Sequence, residues 1–176
     1  MFDPTIYENL KVVVEGEIYE HDLDGDILIT DRQDLVNLAT MSRLYSVSFK
    51  DHAVDTFQAT LMLEAQSEDL YGEILENEFK DNGCKLTLQL QGPINDIQNI
   101  PKDIQEQLDK KWNSRPVIQQ EISFIWDAES SSNNFFTKIT LNFDRKINED
   151  HISDFTEIIS LLIESLHLLN GIAKNT

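Results

Sequence analysis

The sequence predicts an α+β domain: a mainly antiparallel sheet built from sequential hairpins, with a long amphipathic C-terminal helix packed on one face. Three observations carry this expectation. Runs of alternating apolar and polar residues recur along the chain with turn residues between them. From Ile152 to Leu169 the apolar residues return every three or four positions, the period of a helix. Strands that follow one another through short turns pair antiparallel, which leaves the helices to cover one face.

In chain order, Asp3-Pro4 reads as an N-cap followed by proline at the first helical position, opening a short helix over residues 4–10. Lys11–Tyr19 is rich in valine and reads as a strand, with Val12, Val14 and Ile18 on one face. The turn residues of His21–Asp26, centred on Asp24-Gly25, bring Ile27–Ile29 back as a second strand. Asp31 is placed to cap a short helix in which Leu35, Leu38 and Ala39 share a face. Two more strands follow, around Tyr45–Phe49 and Phe57–Leu63; in the second, Phe57, Ala59, Leu61 and Leu63 alternate with polar residues.

Residues 67–80 read two ways. Leu70, Ile74 and Glu78 have helical spacing, while Leu75, Asn77 and Phe79 lead into Asn82-Gly83 as the first arm of a hairpin whose second arm is Cys84, Leu86, Leu88 and Leu90. The hairpin is favoured by that Asn-Gly turn. A helix between Pro93 and Pro116 carries Ile104, Leu108 and Trp112 on one face. Strands at Ile122–Trp126 and Phe135–Phe143 flank a polar loop, and the closing helix, about 149–170, presents Ile152, Phe155, Ile159, Leu162, Leu166 and Leu169 as its apolar stripe. Asn148 reads as its N-cap and Asn170-Gly171 as its stop.

A chain of 176 residues fits a single domain, 1–176, able to bury a core without metals or disulfides. The element order reads as a degenerate ββαββ duplication, with halves about 11–64 and 73–143 followed by the last helix. Thirty-two acidic residues against fourteen basic ones give a net charge of −18. Such a surface repels nucleic-acid phosphates and anionic membranes, so neither is an expected partner, whereas a basic protein is. A lone cysteine, a beginning unlike a secretion signal and no run of about 20 apolar residues place the chain in the cytoplasm as an expectation.

Motifs that carry chemistry are few. Asp22, Asp24 and Asp26 sit where the first three ligands of a calcium loop would, but Ile27 replaces the glycine such a loop needs and Gln33 its bidentate acid, so they are only weak metal candidates. Cys84 opens an apolar strand, where a thiol is expected to be inert. His21, His52, His151 and His167 lie too far apart to pair as ligands on one element. Nucleophile elbows, glycine-rich phosphate loops and cysteine clusters do not occur, and no cofactor or catalytic residue is expected. Trp112, Phe124, Trp126 and Phe136 are candidates to line a pocket between sheet and helices.

From residue 110 to about 170, the chain resembles the YbjN and type III secretion chaperone-like group. The resemblance rests on Lys110-Lys111-Trp112-Asn113 closing a helix, the strand Ile122–Trp126, Leu141-Asn142-Phe143-Asp144, and a helix opening at Glu149-Asp150 with Asp154-Phe155 inside it. It implies a small acidic α+β protein that dimerises and acts by binding other proteins. The first 55 residues depart from the group, which begins with a helix where this sequence predicts the hairpin Val12–Ile29. The leading functional expectation is thus a non-enzymatic cytosolic interaction or regulatory module, possible as a homodimer. The alternatives are a small-ligand-binding domain using the aromatic pocket and an enzyme of unrecognised type.

Overall fold

A computed structural model of the chain describes residues 5–75, 82–126 and 135–174. In order, these form α1 (Ile6–Leu23), β1 (Ile27–Asn37), β2 (Ser42–Asp51), β3 (Gln58–Ala65), α2 (Ser67–Ile74), β4 (Lys85–Ile94), α3 (Ile100–Lys111), β5 (Val117–Phe124), β6 (Phe135–Asn142), a single 3-10 turn at Glu149–His151, and α4 (Asp154–Lys174). The strands make one six-stranded antiparallel sheet in the order β1-β2-β3-β4-β6-β5. The α+β fold class, the antiparallel sheet of hairpins and the C-terminal helix therefore hold.

The N-terminal region departs most from expectation. Lys11–Tyr19 is helix, not strand. Thr5 caps α1, its Oγ1 accepting from the Glu8 N–H at 3.3 Å. The expected opening cap at Asp3-Pro4 lies outside the described residues. Tyr7, Leu10, Val14 and Ile18, at spacings of three, four and four, form the buried stripe, and burial on the sheet outweighs the strand preference of three consecutive valines. Asp24-Gly25 is consequently a helix stop, not a hairpin turn. The Asp26 N–H donates to His21 O at 3.0 Å and the Gly25 N–H to Asp22 O at 3.1 Å, with Gly25 at φ +81°. This is a Schellman cap, which uses glycine for the same left-handed geometry.

The short helix expected after Asp31 is instead the long strand β1. A bulge between Ile29 and Asp31 shifts its register against β2, after which Arg32, Asp34 and Val36 face the helices. Two of the three inward residues after the bulge are charged, so no apolar alternation marks that part of the strand. Of the two readings of residues 67–80, Ser67–Ile74 takes the helix. The favoured hairpin fails because β4 already pairs with β3 on one side and β6 on the other; residues 76–81 lie outside the described residues. With α1 in place of the first strands, the element order does not divide into two ββαββ halves.

In the second half, β4 and β5 run in the same direction, separated by β6 and joined through α3, a split β-α-β unit. α4 packs its stripe of Phe155, Ile159, Leu162, Leu166 and Leu169 onto the sheet, and all five are fully buried. Asn148 caps the 3-10 turn and not α4, while Asn170 lies inside the helix. Its buried side chain accepts from the Phe57 N–H at 2.9 Å and donates to Val54 O at 3.2 Å, tying α4 to the start of β3. By length and hydropathy, Asp154–Ala173 also suffices to cross a membrane, contrary to the expectation from the sequence. Here its stripe is the core of the domain.

All the helices lie on one side of the sheet. The opposite face presents Ser46, Ser48, Thr60, Thr87, Gln89, Gln91 and Thr140, flanked by Lys50, Lys85 and Lys138 against Asp31, Glu64 and Glu121. Three of each sign leave the strands of this open face neutral, so the −18 of the chain resides elsewhere.

Candidate functional site

α3 ends at Trp112, where Asn113 and Ser114 adopt left-handed φ values of 51° and 53° and turn the chain toward β5. Trp112 packs edge-on to Phe143, at 6.1 Å between ring centroids, and its Nε1–H donates to Ser165 Oγ on α4 at 3.1 Å. The Ser165 hydroxyl passes the bond on to Leu161 O at 2.7 Å, so the buried indole and hydroxyl are both satisfied. This junction of α3, the segment after β6 and the first half of α4 encloses a cleft of about 660 Å³.

The floor of the cleft is apolar: Trp112, Phe143, Ile147, Ile158 and Leu161. Its rim is charged in both senses, with Arg115 and Arg145 against Asp144, Asp154 and Glu157, and His151 beside them. Arg115 lies 3.6 Å from Glu157 and Arg145 3.6 Å from Asp154, each pair largely exposed. Ion pairs that long and that wet contribute little to stability and exchange partners at little cost. The far wall is fixed more firmly. Cys84 and Ile147 exchange two backbone hydrogen bonds of 2.8 Å, and Lys146 contacts the buried Asp69 at 2.6 Å. His151 Nδ1 accepts from the Asn148 N–H at 3.3 Å, closing the cap of the 3-10 turn.

Of the four aromatic pocket candidates, only Trp112 reaches this cleft. Phe124 pairs with Phe135 on the helix side of the sheet, beyond the cover of α3, while Phe136 points to the open face. Trp126 follows β5 and is 75 % exposed. The four do not form one pocket. The charged rim is not legible in the sequence because its residues are ordinary polar surface positions brought together from sites up to 42 residues apart; only the Trp112-Asn113-Ser114 helix end hints at a special turn.

The aspartates are likewise explained by structure. Asp22 Oδ1 accepts from the Ile29 N–H at 2.9 Å, fastening α1 to β1, and Asp26 lies 3.1 Å from His21 Nδ1. Among the described residues, no group of three or more histidine, cysteine or acidic side chains is arranged to hold a metal. Burial, then the nearby Asp69 and Glu73, push the Cys84 thiol up to about 12, away from nucleophilic use.

The densest charged cluster lies between α1 and the β1–β2 hairpin. The Tyr7 hydroxyl donates to Asp34 at 3.0 Å, Lys11 contacts Asp34 at 2.8 Å and Glu8 at 2.9 Å, and Arg43 pairs with Glu8 while stacking 4.5 Å from the Tyr7 ring centroid. Burial acts to raise the Asp34 and Glu8 carboxyls, but the bonds from Lys11, Tyr7 and Arg43 outweigh it and hold both below the ordinary range. Tyr7 is held far above its ordinary value, by burial first and then by Asp34. The groups answer one another, which makes this a clamp between helix and hairpin. Comparison with protein-family models, curated proteins and solved structures finds no match to this chain.

Proposed function

We propose that the protein is a non-enzymatic cytosolic interaction module whose α3–α4 cleft receives an apolar side chain of a basic protein partner. The observation that carries this reading is the combination of an apolar floor with a rim of exposed, exchangeable ion pairs. An incoming lysine or arginine can take Glu157 or Asp154 from its present arginine while the apolar group fills the floor. The strongly acidic surface favours such a partner. Helix α1 stands where the sequence suggested a hairpin, and an opening helix is what the resemblance to the chaperone-like group implies.

Selection of random peptides on the immobilised protein tests it. Peptides joining an aromatic or large aliphatic residue to lysine or arginine are expected to enrich, and Ile158→Lys, at a half-buried position of the floor, to lose them with its circular dichroism unchanged. Selection of nothing, or of peptides indifferent to Ile158→Lys, refutes the assignment. The volume of the cleft also lies within the range of small-molecule pockets, roughly 300–1,000 Å³, which favours ligand binding as the second reading. A metabolite that raises the melting temperature of the wild type but not of Ile158→Lys would select that reading instead.

A further inference from the structure

The two edges of the sheet are built differently. β1 carries the devices that keep an edge from pairing: the bulge at Ile29/Asp31, and the charges of Asp31, Arg32 and Asp34 within four residues. β5 has none of them. Its register against β6 is unbroken from Val117 to Phe124, it contains no proline or lysine, and Glu121 is its one charge. Apolar side chains crowd its end, where Ile122, Phe124, Ile125 and Trp126 are all exposed, Ile125 to 87 %. Cover along the strand is also uneven. α3 lies over its first half, where Gln120 Nε2 donates to Pro101 O at 2.8 Å and to Gln105 Oε1 at 3.1 Å, but leaves Ile122 and Phe124 bare on the same face.

We propose that β5 is a self-association edge: two copies pair their β5 strands antiparallel about a two-fold axis and join two six-stranded sheets into one. Opposed residues in such a pair share a face, so the axis passes through a residue and the registers are few. Centred on Glu121, the two carboxylates would oppose each other. Centred on Ile122, the overlap within the strands shrinks to residues 120–124. Centred on Gln120, Ile118 meets Ile122 of the other copy, Gln119 meets Glu121, and Val117 meets Ser123. This register opposes no like charges and sets the bare half of each strand beside the half that α3 covers in the other copy. A second copy meets little electrostatic repulsion at this edge even on a chain of −18, because the strand holds one acid, with Lys138 3.5 Å from it.

Light scattering and sedimentation of the full chain over a wide concentration range test the proposal. A dimer is expected, and its register is read from Gln119, an exposed position whose replacement leaves the core untouched. Gln119→Lys, facing Glu121 of the other copy, should tighten the dimer and Gln119→Glu should loosen it, each by roughly three- to tenfold, with the difference shrinking as salt is added. Ile122→Lys should give a folded monomer; were it to fail to fold, the Gln119 pair still decides. A protein that is monomeric at every concentration, or a dimer indifferent to both Gln119 changes, overturns the proposal.

Discussion

Shortening Leu162 to alanine tests whether α4 is the core of the covered sheet face. Leu162 lies mid-helix, fully buried between Ile159 and Leu166 in the stripe that rests on β2, β3 and β4. The change removes three carbon groups, and at about 0.8 kcal/mol each their transfer to water alone costs roughly 2.4 kcal/mol. A helix held against a sheet along its whole stripe, and by Asn170 at its end, collapses poorly into the space left behind. The remaining cavity therefore carries the loss toward about 4 kcal/mol. Urea unfolding followed by tryptophan fluorescence measures it, since Trp112 is buried against α4 and reports the native packing. In a chain of this size the melting temperature should fall by roughly 5–15 °C. Leu38→Ala, at an exposed position in the β1–β2 turn, is the control and should stay within about 0.5 kcal/mol. A loss below about 1 kcal/mol for Leu162→Ala with an unchanged denaturant slope would refute the packing argument. A wild-type dimer that the change converts to a folded monomer would place α4 at an interface instead.

Three further outcomes follow from particular contacts. Asp34 and Glu8 have carboxyls held below their ordinary range, so their stabilisation is present above the unfolded-state value near pH 4 and is lost as pH falls through the lower folded value; Asp34→Asn should flatten that acid limb in a pH series of urea midpoints. Cys84, with its thiol pushed up to about 12, should react with a disulfide probe at neutral pH only as the protein unfolds; fast labelling of the native protein would contradict its burial. Asp22→Ala should cost about 1 kcal/mol by removing the acceptor for the Ile29 N–H, while Asp24→Ala at an exposed position should cost less than half of that.

The sequence was most readable where one physical signal acted alone. The α4 stripe, the alternation of β3 and β4 and the proline-opened α3 all follow from apolar period and local breakers, because each buries one face against one layer. The N-terminal third was misread because signals conflicted. In α1, three consecutive valines favour a strand locally, yet Tyr7, Leu10, Val14 and Ile18 carry the helical period that tertiary burial rewards. Beyond its bulge, β1 turns Arg32 and Asp34 inward, and their partners Glu15 and Lys11 come from α1, so that part of the strand is legible only once the helix is known. The cleft depends on the same kind of distant meeting: Trp112 is conspicuous in the sequence, but Arg115, Arg145 and Glu157 acquire meaning only when α3 and α4 converge.

The neutrality of the open sheet face bears on how fast partners arrive. Helices α1 and α2, by contrast, carry far more acids than bases, so the described part of the helical side is the more negative one, and a basic partner of the kind proposed above would be steered toward it. The α3–α4 cleft opens on that side. If the cleft takes the basic partner proposed above, capture should be quick in dilute buffer and slow steeply as salt is added, while escape, governed by the apolar floor, should hardly change.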